Sequence, residues 1–154
     1  MTQSYDKSDF MDQALIEAKE AAKRGEVPVG AVLVGPDGAV LAAAGNQTLA
    51  QKDPSAHAEM LVIRQACASL GTERLPEGCA LYVTLEPCPM CATAISYARV
   101  GRLYYGAEDA KMGGVDHGPR IFASSSCHHR PEVYSGLAAE DAASLLTQFF
   151  KDRR

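Results

Sequence analysis

The sequence has no tryptophan, only 6% aromatic residues and no uninterrupted apolar run of the length that crosses a membrane. Residues 1–7 show neither the basic opening nor the apolar stretch of a signal peptide. We therefore expect a cytoplasmic protein that does not enter a membrane. The five cysteines are an odd number in a chain without a secretory signal, so burial or metal binding explains them better than a disulfide framework.

Basic residues are fewer than acidic ones, which gives a formal net charge of −4. This excess of acidic groups argues against non-specific nucleic-acid binding through an overall positive field. It leaves room for a local basic face, although scattered solvated charge is the simpler interpretation of each group. The candidates for such a face are Lys23, Arg24, residues 128–130, Lys151, Arg153 and Arg154.

The rest of the composition is that of a globular protein, and the length of 154 residues predicts one domain spanning residues 1–154. Hydrophobic periodicity and turn residues predict helices at about 9–24, 53–70, 89–98 and from 137 onward. They predict strands at about 29–34, 39–44, 79–85 and 102–106, and a long functional loop over about 109–136. Strands alternating with helices indicate an α/β fold with helices on both faces of a sheet.

The second predicted helix begins at Asp53-Pro54, where the aspartate can cap free backbone amides and the proline needs no amide partner. His57 would then lie one turn into this helix. Apolar residues on nearly all sides of the segment indicate a buried helix that ends at Gly71.

Cys88 and Cys91 are three residues apart, so on a helical turn both sulfur atoms can reach one metal ion. A CxxC pair alone is also found in redox sites and among buried thiols. Together with the imidazole of His57 it makes a three-ligand zinc site with an open fourth position, and a water bound there acquires a pKa of about 7. A purely structural site would need a fourth ligand, for which Cys127, His128 and His129 are the candidates.

Glu59 favours the catalytic interpretation, because a carboxylate two residues from a ligand can accept a proton from that water and return it to a substrate. Residues two apart on a regular helix point in nearly opposite directions. His57 and Glu59 can therefore serve one site only if the metal lies against the first turn of the helix.

His57-Ala58-Glu59 followed by Pro87-Cys88-Pro89-Met90-Cys91 matches the H-x-E and P-C-x-x-C signature of the zinc deaminases that act on cytosine or adenine. Over nearly its whole length the chain also resembles the bacterial tRNA adenosine deaminases of the zinc-dependent cytidine/deoxycytidylate deaminase superfamily. The resembling blocks are residues 26–32, Asn46, 53–59, 81–88, 106–111 and 149–154.

The resemblance implies a three-layer α/β/α cytidine-deaminase-like fold with a central mixed sheet of about five strands, a homodimer and one zinc ion per subunit. The implied activity is hydrolytic deamination of adenosine to inosine at the wobble position of an arginine tRNA, with the anticodon stem-loop as partner. Glu59 would be the catalytic proton carrier.

The resemblance also assigns substrate contacts by position. Asn46 would hydrogen-bond the flipped base, whose pocket Val29 and Ala56 would line. Asp109 would contact a neighbouring nucleotide, and phosphate contacts would fall to Lys111, Lys151, Arg153 and Arg154. Without the resemblance, ordinary packing and solvated charge would explain each of these residues.

The chain departs from the common family pattern over residues 112–120, and it has His128-His129 behind Cys127 where relatives have an Asn-His pair. RNA and the partner subunit are the alternatives for what this loop contacts.

Guanine deaminase is the leading alternative activity, because guanine deaminases share both motif blocks and Met90. Cytosine or deoxycytidylate deaminase comes next, and a non-catalytic zinc module that binds RNA is an alternative of another class. Glu59 argues against the module. The Asp109 block and the cationic C-terminal segment favour an extended polyanionic substrate over a free base.

Overall fold

The computed structural model describes residues 7–153. Its helices are α1 (Lys7–Lys23), α2 (Thr48–Gln51), α3 (Ala58–Leu70), α4 (Pro89–Tyr97) and α5 (Ala139–Lys151). Its strands are β1 (Gly30–Val34), β2 (Val40–Gly45), β3 (Ala80–Leu85), β4 (Arg102–Ala107) and β5 (Glu132–Ser135). Among these described residues no helix combines the length and the hydropathy needed to cross a membrane.

The strands form one mixed sheet in the order β2-β1-β3-β4-β5. β1 is antiparallel to both β2 and β3, whereas β3, β4 and β5 run parallel. α4 provides the crossover that a parallel β3–β4 pair requires. The predicted α/β fold with about five strands is therefore confirmed.

Side chains alternate between the two faces of the sheet, and each face is covered by helices. α1 and α5 pack on one face and α3 and α4 on the other, which makes three layers. The strand residues beneath α1 include Val32, Val34, Tyr82 and Tyr104. Those on the opposite face, in the larger core, include Ala31, Leu33, Leu81, Val83, Leu103 and Tyr105.

α1 approaches the sheet at a pair of glycines. Gly30 in β1 lies opposite Gly45 in β2. A methyl group added at Gly30 would lie 1.9 Å from the carbonyl oxygen of Ala14, and one at Gly45 would lie 2.6 Å from that of Glu17. The helix backbone therefore rests directly on the strands.

The predicted helix start at Asp53-Pro54 is wrong, because α3 begins only at Ala58. The Asp53 carboxylate instead accepts hydrogen bonds from the backbone N–H and the hydroxyl of Ser55, at 2.9 and 2.7 Å, and so stabilises a turn. The first N–H of α3, that of Ala58, donates to Oδ1 of Asn46 at 2.8 Å. A residue distant in sequence thus supplies the cap.

The long loop predicted over 109–136 contains two short stretches of regular structure. Residues Ile121–Ala123 form a short 3₁₀ turn, and Glu132–Ser135 form the edge strand β5 beside β4. The other predicted helices and strands agree with the structure to within a few residues at each end.

Replacing Gly30 by alanine should destabilise the fold by at least about 2 kcal/mol, because the new methyl group can be accommodated only if α1 moves away from β1. Chemical denaturation of the purified variant measures the change. Gly35→Ala is a suitable control, since the nearest atom to its added methyl group is Oδ1 of the exposed Asp37 side chain, at 3.1 Å. Equal stabilities of the two variants would contradict this account of helix docking.

Candidate metal centre and adjoining cavity

The site lies at one edge of the sheet, where the ends of four strands meet. Because β1 is antiparallel to β2 and β3, its first residues lie beside the last residues of those strands. The parallel strand β4 ends at the same edge. The chain segments at these ends carry Val29, Asn46, Glu86, Cys88 and Asp109.

His57, Cys88 and Cys91 come together as the metal prediction requires. Nδ1 of His57 lies 3.6 Å from Sγ of Cys88 and 3.5 Å from Sγ of Cys91. All three candidate ligand atoms lie within 4.8 Å of one another. One imidazole nitrogen and two thiolate sulfurs form a donor set that zinc prefers, so the residues fit this metal.

Two helix N-termini position these ligands. His57 immediately precedes α3 and Cys88 immediately precedes α4, and both have extended backbone. The positive ends of two helix dipoles therefore face the cluster and favour negative charge there. Since His57 is outside the helix, helical periodicity does not direct it away from Glu59. The geometric condition on these two residues is thereby met.

The protein itself favours a thiolate at Cys88. A hydrogen bond from the Cys91 thiol, together with the imidazole of His57, outweighs the effect of burial and lowers the pKa of Cys88 to about 4. The same hydrogen bond, with burial, raises the pKa of Cys91. The hydrogen bond to Cys88 also raises the pKa of His57. One of the two sulfurs is thus already in the form that binds metal.

A fourth protein ligand is not found among residues 7–153, since the cluster there consists of His57, Cys88 and Cys91. The Cys127 thiol, proposed for that role in a structural site, instead donates to the carbonyl of His129 at 3.2 Å. The imidazole Nε2 of His129 lies 2.6 Å from the carbonyl oxygen of Val100. This arrangement favours a site with an open coordination position.

Glu59 lies in the first turn of α3, with only 3% of its surface exposed. Burial raises the pKa of its carboxyl group to about 7, against the lowering effects of its own backbone amide, His57 and the Cys91 thiol. A carboxyl group with this pKa can both accept and release a proton near neutrality, as general acid–base catalysis requires.

A cavity of about 250 Å³ opens beside the cluster. Its lining combines apolar and polar side chains, namely Val27, Val29, Asn46, Thr48, His57, Glu59, Leu85, Glu86, Cys88, Asp109 and Met112. Oδ1 of Asn46 accepts a hydrogen bond from the backbone N–H of Ala58, which fixes the orientation of the side-chain amide. The NH₂ group is then the part of Asn46 that can donate a hydrogen bond. Ala56 is fully buried in the core and is not among these lining residues.

A second cavity adjoins the first, sharing Val27, Leu85, Asp109 and Met112 with it. Glu108, Lys111, Leu146 and Phe150 complete its lining, so the C-terminal helix contributes to it. The predicted contact residues Asp109 and Lys111 therefore lie on a continuous recess that extends away from the metal cluster.

The candidate residues for a local basic face do not all lie together. The Arg24 guanidinium donates to the backbone carbonyl of Asn46 at 3.3 Å, and that of Arg153 stacks 3.6 Å from the ring centre of Phe149. Arg153 also lies beside Gly25. Lys151 is exposed at the end of α5, and Arg130 binds backbone carbonyls of the 121–124 turn instead. Arg154 lies outside the described residues.

Two buried carboxylates beside the cavity were not anticipated. Glu26 accepts hydrogen bonds from the backbone N–H groups of Leu49 and Ala50, at 3.0 and 2.9 Å. Glu86 binds backbone amides within residues 109–117. An acidic residue inside an apolar block, as in Thr84-Leu85-Glu86-Pro87, is the sequence signal that could have identified them.

Comparison with known proteins agrees with this site. Residues 4–107 match the family described as the cytidine and deoxycytidylate deaminase zinc-binding region. The tRNA-specific adenosine deaminase of Agrobacterium fabrum is 57% identical over 149 residues, which cover 97% of each chain. A solved structure from a study of tRNA:A34 deaminases superposes with a TM-score of 0.88 at 58% identity, covering 91% of this chain and all of that one.

A guanine deaminase structure from Bacillus subtilis is also similar, with a TM-score of 0.65 and 31% identity over 96% of this chain and 95% of that one. The identity to the tRNA deaminases is much higher.

The chain thus belongs to the zinc-dependent cytidine and deoxycytidylate deaminase family. Within that family it belongs with the tRNA-specific adenosine deaminases and is an enzyme, with zinc as its cofactor.

Replacing Cys91 by serine should reduce the zinc content to below about a tenth of that of the parent protein, because two ligands hold the ion far less tightly than three. Elemental analysis of freshly purified protein measures this content. Cys127→Ser is the matched control and should keep a full complement, since the Cys127 thiol lies against His129 instead of the cluster. Loss of zinc from the control would show that the cluster is wrongly assigned.

Proposed function

We propose that the protein deaminates adenosine to inosine at the wobble position of tRNA, with an arginine tRNA as substrate and the anticodon stem-loop as the part recognised. The observation that carries this proposal is the buried Glu59 carboxyl group beside the His57, Cys88 and Cys91 cluster, in the wall of one cavity. The similarity to tRNA-specific adenosine deaminases supports the choice of substrate.

Zinc, when held by His57, Cys88 and Cys91, supplies the Lewis acidity that makes a water nucleophilic near neutrality. Glu59 takes a proton from the attacking water and delivers it to the ring nitrogen beside C6 of adenine. The water oxygen forms a bond to C6, and Glu59 then moves the second proton of that oxygen to the amino group, so that C6 becomes a carbonyl carbon. The C6–N bond breaks, ammonia leaves, and the base is hypoxanthine. A carboxyl group with a pKa of about 7 suits both transfers.

The base must leave the stack to enter the cavity, which costs little in an anticodon loop because its bases are already accessible. The Asn46 NH₂ group would donate to an acceptor nitrogen of the flipped purine, and Val29 would pack against its ring. Ala56 would support this wall from behind, since it is fully buried.

The second cavity would hold nucleotides next to the flipped one. Asp109 would contact a neighbouring nucleotide there, and the exposed Phe150 offers a ring on which a base can stack. Phosphates would be bound by Lys111, Lys151, Arg153 and Arg154. Local cations around a recess allow RNA binding despite the net charge of −4.

A homodimer is part of the same proposal. The outer face of α4 exposes large apolar side chains, with Tyr97 75% and Met90 38% accessible. Exposed apolar side chains on one helix are typical of an interface with another chain. We place this enzyme in the cytoplasm, where its tRNA substrate would be.

Replacing Glu59 by glutamine should leave the zinc content unchanged while reducing the single-turnover rate by about two to four orders of magnitude, the usual contribution of general acid–base catalysis. Glutamine keeps the shape of the side chain but cannot carry the proton. Quench-flow detection of inosine in the stem-loop measures the rate. A near-normal rate in a variant that still holds zinc would remove Glu59 from the mechanism.

An anticodon stem-loop with adenosine at the wobble position should yield inosine and ammonia, whereas free guanine, cytosine and adenosine should yield ammonia at least about a hundredfold more slowly, because they lack the flanking phosphates. A stem-loop whose adenosine lies one position away from the wobble position is the matched control substrate. Release of ammonia from free guanine, with none from the stem-loop, would instead establish the guanine deaminase alternative.

A further inference from the structure

Glu86 follows the last residue of β3 and precedes the metal ligand Cys88 by two positions. Its side chain has no solvent exposure. A buried carboxylate is costly unless donors surround it, so the groups that bind it indicate its function.

Five donors from one stretch of chain surround this carboxylate. Oε2 accepts the backbone N–H groups of Val115, Asp116 and His117 at 3.2, 3.0 and 3.2 Å. Oε1 accepts the N–H of Asp109 at 3.1 Å and lies 2.7 Å from Nδ1 of His117. We call residues 109–117 the rim segment. Its backbone is wound around a single buried charge.

Two glycines make this close winding possible. A methyl group at Gly113 would lie 2.3 Å from Oε2 of Glu86, and one at Gly114 would lie 2.5 Å from the backbone nitrogen of Pro89. The N–H of Gly114 also donates to the carbonyl of Pro87 at 2.8 Å. The rim segment is therefore packed backbone to backbone against the start of α4.

The rim segment forms one wall of the recess. Asp109 and Met112 line the cavity beside the metal cluster, and Lys111 lines the adjoining one. Oδ1 of Asp109 accepts the backbone N–H groups of Lys111 and Met112, at 3.2 and 2.9 Å. The positions of Asp109, Lys111 and Met112 therefore depend on the hydrogen bond from the Asp109 N–H to Glu86.

His117 adds an imidazole to the groups that hold the Glu86 carboxylate. Its hydrogen bond to Glu86 raises the pKa of the imidazole, as do the nearby carboxylates of Glu86, Glu108 and Asp116. The Asp116 carboxylate in turn accepts a hydrogen bond from the hydroxyl of Tyr105 in β4. The rim segment is therefore connected to the sheet at both β3 and β4.

We propose that Glu86, with His117 as its partner, is a positioning residue that holds the rim segment as the nucleotide-binding wall of the site. Both of its oxygens are occupied by donors of the rim segment, so it moves no proton and acts through Asp109, Lys111 and Met112. This inference rests on the proposed function only for the identity of the ligand, since the anchoring itself concerns the protein alone.

Replacing Glu86 by glutamine tests whether its carboxylate anchors the rim segment, because the new NH₂ group then faces one of the backbone N–H donors. Amide hydrogen exchange should become at least about tenfold faster over residues 109–117, since buried hydrogen bonds to a charge are lost. With the zinc-loaded variant and the stem-loop, KM should rise at least about tenfold, while kcat falls less than about threefold. Elemental analysis confirms that zinc is retained.

Two further variants keep the test decisive. His117→Ala removes one of the five donors, and it should give faster exchange over 115–117 and a KM between those of the parent and Glu86→Gln. Glu26→Gln is the matched buried carboxylate on the other side of the cavity, and it should speed exchange over 48–50 while leaving 109–117 unchanged. Exchange over 109–117 that is unaltered in Glu86→Gln would overturn the anchor.

The kinetic outcome separates this inference from the proposed function. A fall in kcat with constant KM would assign Glu86 to the chemistry instead of to positioning. Absence of activity on the stem-loop in the parent protein would overturn the proposed substrate, and the exchange data would then decide on the anchor alone.

Discussion

The site depends on the meeting of two helix N-termini at one edge of the sheet. α3 and α4 each begin immediately after an extended residue, His57 in one case and Cys88 in the other. Because α4 packs against α3 on the same face of the sheet, an imidazole nitrogen and two sulfurs lie within 4.8 Å of one another. The positive ends of both helix dipoles favour the negative charge that a metal cluster of this kind requires.

Two buried carboxylates are the second feature on which the site depends. Glu26 and Glu86 are 1% and 2% exposed; Glu26 binds backbone amides of α2, and Glu86 binds those of the rim segment. Desolvating a carboxylate is unfavourable, but hydrogen bonds from several donors can compensate for it, and removal of such a group leaves those donors unpaired. The two carboxylates hold α2 and the rim segment beside the cavity without adding apolar surface there.

Much of the site could be predicted from the sequence, because short spacings determine it. The interval between Cys88 and Cys91 and the order of His57 and Glu59 specify a three-ligand cluster with a carboxyl group beside it. The start of α3 could not be predicted in this way, since Asp53 finds a partner in Ser55 and the cap comes from Asn46. Strand β5 escaped notice because its four residues are mostly exposed and show no apolar alternation.

The anchoring by Glu86 could not be predicted either, for a different reason. Its donors lie 23 to 31 residues further along the chain, and they are backbone amides that carry no sequence signature. Only the fold brings them to the carboxylate. The local sequence Leu85-Glu86-Pro87 therefore gives no sign of this long-range contact.

The contact between α1 and the paired glycines has a mechanical consequence. Gly30 and Gly45 are the immediate neighbours of Val29 and Asn46, two residues of the cavity wall. With no side chain between the helix and the strands, a displacement of α1 is transmitted to those two residues without being absorbed by rotamer changes. Substitutions that displace α1 can therefore alter the width of the cavity beside the metal cluster.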